Sequence, residues 1–258
     1  MTLQCWTTLR LLISIAIVLS TVAGAANTAK YNEKDNGYYD KEEIDRFLKK
    51  TAARIVGGNV ADPTRYPYFT YLMIQTNQGL YECGGVLIHY DLVLSAAHCV
   101  ENVDVTSITA IVNMTEHYYP SGVVTSYFSQ TSADTLTGYE QVRTVADFRQ
   151  HPSYYQPTES HDTMLLQLSE PVFGITFPSL PAPSFQVPDE TPVTVIGFGD
   201  TTAGHGVYAN RLMQVEVEVV NHDQCNDDYS NKGVQQPIDE EIMICAARSG
   251  KDACQGDP

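Results

Sequence analysis

Basic residues are scarce in this chain. Its 258 residues include 15 Lys and Arg against 31 Asp and Glu, for a formal net charge of -16 at pH 7. So acidic a polypeptide repels the phosphates of nucleic acids and the headgroups of anionic membranes. We therefore expect no nucleic-acid partner, and the simplest role of the charge is solubility.

Hydrophobic runs long enough to cross a bilayer are lacking as well. The apolar run at residues 11–19 follows a single cation, Arg10, and precedes small residues around Ala25. This pattern is typical of a secretory signal peptide, here residues 1–25, and is too short for a membrane span. A membrane anchor is the alternative, but no later stretch could serve as a second span. We expect a secreted, extracellular protein with no membrane contact once the signal is removed.

Paired C-x-x-C spacings are absent, which argues against a zinc site. Removal of Cys5 with the signal leaves five of the six cysteines, and secretion makes these candidates for disulfides. Because five is odd, one thiol has no partner within the chain. No metal-ligand spacing links His89, His117, His151, His205 and His222. We expect neither a metal nor a cofactor.

The leader at residues 26–54 differs from the rest of the chain because its charges nearly balance, whereas the acidic excess lies after Arg54. Asp40 followed by Glu43 resembles a capping box, and a short amphipathic helix would follow it. The segment then becomes polar and basic up to Arg54. Such a segment is open to a protease that cuts after Arg or Lys, so we predict a detachable propeptide.

Short β-type runs separated by turn residues follow Arg54. Met213, Val215, Val217 and Val219 alternate with polar residues, which is the period of a strand with one buried face. Further strand candidates are 68–75, 86–88, 92–94, 107–112, 163–168, 193–197 and 242–246. Little beyond residues 223–229 favours a helix. The pattern predicts an all-β barrel or sandwich.

Six short motifs occur in this part of the chain: RIVGG at 54–58, CGGVLI at 83–88, LSAAHC at 94–99, DTMLL at 162–166, IGFG at 196–199 and GKDACQGD at 250–257. In this order they resemble the trypsin-like serine peptidases. The resemblance implies a peptidase domain at 55–258 with two six-stranded β-barrels, about 55–160 and 161–258, and an active site between them.

The resemblance also implies catalytic roles. His98 matches the general base, and Asp162 matches the acid that orients its ring. Either residue alone would more often be structural; their motifs favour the catalytic interpretation. His161 adjoins Asp162, but neighbouring strand residues point to opposite faces, so we expect no catalytic part for it.

Other roles that the resemblance implies lie near the ends of the domain. Asp252 matches the acid at the base of the primary specificity pocket, which implies cleavage after Arg or Lys. Gly256 matches an oxyanion-hole residue. Cleavage between Arg54 and Ile55 would free an amino group that pairs with Asp257, as in zymogen activation.

The chain departs from the family pattern at Pro258. Where the family has Gly-Asp-Ser-Gly-Gly-Pro, the sequence reads Gly256-Asp257-Pro258, so the nucleophile serine is absent and proline stands at or near its place. Proline also lacks the backbone N–H that an oxyanion hole needs. We expect the chain as written to be inactive and its second barrel to be incomplete, with Cys254 lacking a partner. The alternative function is a catalytically dead pseudoprotease that acts as a secreted binding or inhibitory protein.

The resemblance implies two disulfides, Cys83 with Cys99 and Cys225 with Cys245, although the sequence alone allows other pairings. Asn113 begins an N-x-T glycosylation pattern. The partners that the resemblance implies are protein or peptide substrates with Arg or Lys at the cleaved bond, and protease inhibitors. We expect a monomer.

Overall fold

The computed structural model describes residues 10–11, 58–116, 139–182, 185–199, 209, 211–231 and 238–249. These residues form eleven strands, two short 3-10 turns and one α-helix. Within these ranges, no helix has the length and apolar character needed to cross a membrane. The all-β prediction is confirmed.

Six antiparallel strands between residues 69 and 168 close into a barrel. Their order around the barrel is β3 (Phe69–Thr76), β4 (Gly79–His89), β5 (Leu92–Ser95), β8 (Met164–Leu168), β7 (Gln141–Gln150) and β6 (Val105–Val112). Side chains of Leu72, Leu87, Val93 and Leu166 fill the interior with no solvent exposure. Closure leaves no strand edge in this barrel, so its backbone groups pair internally.

Gly85 of β4 packs directly against β5. A Cβ atom at this position would lie 2.7 Å from Cγ1 of Val93 and 3.1 Å from the carbonyl oxygen of Leu94. A larger residue would therefore push the two strands apart. Gly85 of the CGGVLI motif thus allows β4 to pack closely against β5. Strand β5 in turn leads into the next segment of the chain.

The apolar pattern of the sequence did not predict β7 (Gln141–Gln150). This strand has the sequence QVRTVADFRQ, and most of its side chains are exposed or half-buried. It nevertheless pairs with β6 on one side and with β8 on the other. Apolar periodicity cannot detect a strand whose main role is to supply backbone partners that complete a barrel.

The second sheet is open. Its strands follow the order β1 (Arg10–Leu11), β11 (Ile244–Ala247), β10 (Met213–Val220) and β2 (Asn59–Val60), and β9 (Pro192–Gly197) also pairs with β10. Met213, Val215, Val217 and Val219 are all buried, so the alternation read from the sequence is confirmed. In the described residues this sheet does not close, which confirms the prediction of an incomplete second barrel.

A shared apolar cluster joins the barrel to the second sheet. Phe69, Tyr71 and Met73 of β3 lie in it with Ile196 of β9 and Met213 of β10. Backbone hydrogen bonds extend the junction, since the N–H of Leu212 donates to the oxygen of Thr115 at 2.8 Å. The two sheets therefore pack around a common core.

One helix, α1, spans His222–Asn231 and contains the predicted 223–229. Asn221 caps it, because its side-chain oxygen accepts hydrogen bonds from the N–H groups of Asp223 and Gln224 at 3.0 and 3.3 Å. A disulfide between Cys225 and Cys245 joins the helix to β11. The cap and the disulfide fix the helix against the open sheet.

Candidate active site

His98 lies on a 3-10 turn, Ala97–Val100, directly after β5. Ala96 and Ala97 have no solvent exposure, so only small side chains fit where the chain leaves the barrel. Cys99 forms a disulfide with Cys83 of β4, across a Cα–Cα distance of 6.3 Å. The LSAAHC run thus fixes the histidine by packing on one side and by a covalent bond on the other.

Strand pairing brings Asp162 to this turn. Ser95, the last residue of β5, pairs with Met164, the first residue of β8. Asp162 precedes β8 by two residues. It therefore lies at the end of the barrel where β5 finishes and the turn that carries His98 begins. Two residues that are 64 positions apart in sequence therefore become neighbours.

The carboxylate of Asp162 accepts two hydrogen bonds from His98. Ring nitrogen Nδ1 lies 2.6 Å from Oδ2, and the backbone N–H donates to Oδ1 at 2.8 Å. Only 8% of Asp162 is exposed, so water competes little for these oxygens. With Nδ1 donating to Asp162, Nε2 is the ring nitrogen that can accept a proton.

Charge in the surroundings favours the protonated imidazole. Burial lowers the pKa of His98, but the hydrogen bond and negative charge of Asp162 outweigh it, helped by the charges of Glu159 and Glu101. The pKa of His98 is therefore raised above its ordinary value. A basic imidazole oriented by a carboxylate is the arrangement that general base catalysis requires.

Two further side chains hold the turn in place. The Ser95 hydroxyl donates to the carbonyl oxygen of Gly84 at 2.7 Å, and the side-chain amide of Gln150 donates to the oxygen of Ala97 at 2.8 Å. Sequence analysis gave neither residue a role. No motif could have revealed Gln150, because it lies at the end of the strand whose pattern was not recognised.

Both predicted disulfides, Cys83–Cys99 and Cys225–Cys245, are confirmed. Cys83, His98 and Cys99 are also the one group of three potential metal ligands found in the described part of the chain. The sulfur atoms of Cys83 and Cys99 are bonded to each other in the disulfide, so neither is available as a thiolate ligand.

The structure corrects the local argument about His161. It is not a strand residue, since β8 begins at Met164 and His161 has φ 55° in a turn. Its ring stacks on that of His151 with the centroids 4.8 Å apart. The positive φ of the turn, rather than strand alternation, sets the direction of this side chain.

Asn113 also adopts a positive φ, 63°, at the end of β6. Its amide nitrogen, the atom that a glycan would modify, donates to the oxygen of Tyr139 at 3.3 Å. The remaining predicted residues, Arg54, Ile55, Asp252, Gly256, Asp257 and Pro258, lie outside the described residues, as does Cys254.

Comparisons with known proteins agree with this geometry. A family model described as Trypsin matches residues 55–258. Trypsin delta of Drosophila erecta is 29% identical over 212 residues, which are 82% of this chain and 74% of that protein. Hypodermin-B of Hypoderma lineatum is 29% identical over 213 residues, with 82% and 73% covered. A solved structure described as "Structure of GrC" has a TM-score of 0.60 and 23% identity, covering 79% of this chain and 82% of that one, and shows a shared fold.

Proposed function

Because the chain belongs to the trypsin family of serine peptidases, we propose that it is a secreted endopeptidase, made as a zymogen, that cleaves after Arg or Lys. The observation that carries this proposal is the pair formed by His98 and Asp162, joined at 2.6 Å and largely shielded from water. The apolar run at 11–19 and the two disulfides support secretion.

The pair supplies proton transfer for acyl transfer to a serine. In this proposal Nε2 of His98 takes the proton of the serine hydroxyl as its oxygen attacks the peptide carbonyl, and returns that proton to the departing amine. Asp162 keeps the ring oriented and stabilises the positive charge that forms on it. Water then attacks the acyl-enzyme, with His98 again accepting and returning the proton.

The serine must come from the motif that begins at Gly256. In the sequence, Asp257 is followed by Pro258, which has neither a hydroxyl nor a backbone N–H. We therefore expect this polypeptide to form no acyl-serine. A chimera in which a trypsin C-terminal segment starting at the serine replaces Pro258 should hydrolyse peptides after Arg or Lys.

The chimera gives the decisive test. Activation by cleavage after Arg54, then assay on matched peptides with Arg, Lys or Leu at the cleaved bond, should show turnover of the two basic peptides only. His98→Ala in the same chimera is the matched control and should abolish turnover. Asp252→Asn should remove the preference for basic residues, because a neutral amide no longer compensates the substrate cation. A folded chimera without His98-dependent hydrolysis would refute the proposal.

Activation itself can be tested on the natural leader. Arg54→Gln should prevent the appearance of a new N-terminus at Ile55 when the protein is treated with an Arg-specific protease. In this proposal the freed amino group of Ile55 pairs with Asp257 and orders the oxyanion loop around Gly256. Loss of activation without loss of the His98–Asp162 pair is the expected outcome.

A second function, binding without cleavage, is favoured by Pro258 in the motif. A pseudoprotease of this kind would bind protease inhibitors or peptides with Arg or Lys through the pocket that Asp252 implies. Calorimetric titration of the 258-residue protein with an Arg-containing peptide tests it, with Asp252→Asn as the control. No heat of binding from a folded protein would rule this function out.

A further inference from the structure

A second contact joins the two segments that carry His98 and Asp162. The hydroxyl of Tyr154 donates a hydrogen bond of 2.6 Å to Oε2 of Glu101. Glu101 ends the 3-10 turn that holds His98, and its backbone N–H donates to the oxygen of His98 at 3.1 Å. Tyr154 lies eight residues before Asp162 on the opposite segment, so this bond crosses the same gap as the His98–Asp162 pair.

Glu101 is held at both of its carboxylate oxygens. Oε1 accepts from the side-chain amide of Asn102 at 2.8 Å, while Oε2 accepts from Tyr154. An exposed glutamate ordinarily samples many rotamers, and two donors remove much of that freedom. The negative charge of Glu101 is thereby kept close to the turn instead of moving into solvent.

We propose that Tyr154 is a positioning residue for the catalytic pair, which acts through Glu101 to tie the His98 turn to the segment that ends at Asp162 and to hold a carboxylate at the end of that turn. This proposal rests on the proposed function only for the catalytic role of His98. The contact itself belongs to this chain, and it can be measured without turnover.

The electrostatics agree with this geometry. The charged groups that act on His98 from the packed segments are three carboxylates, those of Asp162, Glu159 and Glu101, and each raises its pKa against the effect of burial. Burial, the hydrogen bond to Glu101 and the charges of the same carboxylates raise the pKa of Tyr154 far above its ordinary value. The phenol therefore stays protonated, and remains a donor, over the whole range in which His98 titrates.

Two variants separate the effect of the Tyr154–Glu101 hydrogen bond from the effect of the charge on Glu101. Glu101→Gln removes the negative charge but keeps an oxygen that can accept from Tyr154, so it should lower the titration midpoint of His98 and leave the turn intact. Tyr154→Phe removes the donor and releases the carboxylate, so it should lower the midpoint and also loosen the turn. Loss of one such hydrogen bond should speed amide exchange of the Glu101 N–H by about fivefold.

The experiment is an NMR titration of the His98 ring, with amide exchange at Glu101, on the full 258-residue chain. Tyr155→Phe is the matched control, because Tyr155 is the neighbouring tyrosine and is 59% exposed; it should change neither measurement. A change in packing alone would not move the midpoint in the Glu101→Gln variant, so that result distinguishes positioning from a merely structural role.

The possible outcomes decide the question. Midpoints unchanged in both variants would overturn the proposal, and so would a shift in Glu101→Gln without any effect of a folded Tyr154→Phe. If Tyr154→Phe fails to fold, an unchanged midpoint in Glu101→Gln still refutes it, and a lowered midpoint supports the coupling through Glu101. Failure of the chimera to hydrolyse peptides would instead refute the proposed function and leave this result standing.

Discussion

Replacing Asp162 by Asn should show how the His98–Asp162 pair contributes to stability, because that contribution depends on pH. The change keeps the size of the side chain but removes the negative charge that faces Nδ1 of His98 at 2.6 Å. Because the pKa of His98 is raised in the folded protein, protonated His98 favours folding. This stabilisation is fully present below the unfolded pKa of about 6.5 and is lost as pH rises through the folded pKa.

The magnitude follows from the burial of the pair. The side chains of His98 and Asp162 are 20% and 12% exposed, so solvent screens their interaction only in part. A hydrogen bond to a charged group contributes about 1.5–3 kcal/mol, and a neutral one about 1 kcal/mol. We therefore expect Asp162→Asn to lower the free energy of unfolding by about 3 kcal/mol at pH 6, where both partners are charged, and by about 1.5 kcal/mol well above the folded pKa of His98, where the carboxylate still accepts from the neutral ring.

Urea unfolding of both proteins between pH 5.5 and pH 9 measures this difference. The chain contains a matched control, since His89 and Asp91 form a pair at 2.8 Å whose side chains are 63% and 37% exposed. Asp91→Asn should leave the free energy of unfolding nearly unchanged at every pH, because exposed pairs contribute little. A constant difference between wild type and Asp162→Asn across the range would refute the reasoning.

Three further predictions concern the framework of the site. Replacing Cys83 and Cys99 together by Ser should lower the free energy of unfolding by about 3 kcal/mol in urea, because this disulfide closes a loop between residues 16 apart; an unchanged midpoint would contradict this. Gly85→Ala should cost about 1–3 kcal/mol by thermal unfolding, because its Cβ would meet Val93 at 2.7 Å, whereas Ala at the unobstructed but strained Gly79 tests the backbone effect alone. Asn221→Ala should cost about 1 kcal/mol through loss of the cap of α1. Asp227→Ala, at an exposed position of the same helix, is the control and should leave the stability nearly unchanged.

Local sequence patterns predicted the elements that have one buried face or a recognisable motif. The alternation from Met213 to Val219 predicted β10, and the β-type run at 163–168 predicted β8. Strand β7 could not be found this way, because its partners, rather than its own side chains, make it a strand. Closure of a barrel is a property of several segments together, so no single window contains the signal.

The two candidate site residues that lie in motifs could be proposed from the sequence, but the side chains that hold their segments in place could not. His98 and Asp162 could be identified because each lies in a run that resembles a family. Gln150 is the last residue of β7 and Tyr154 lies between β7 and Asp162, where ordinary polar residues give no local indication of a contact. Their roles depend on which carbonyl or carboxylate lies opposite, and this is set only when β5 pairs with β8.

The contacts that join His98 to Asp162 form within the first barrel, without the open second sheet. His98, Asp162, Gln150 and Tyr154 all belong to the first barrel or to segments that leave it. Their contacts depend on the β5–β8 pairing and on the Cys83–Cys99 disulfide, and neither involves the open second sheet. In the proposed function, cleavage after Arg54 would therefore act on a histidine and a carboxylate that are already joined.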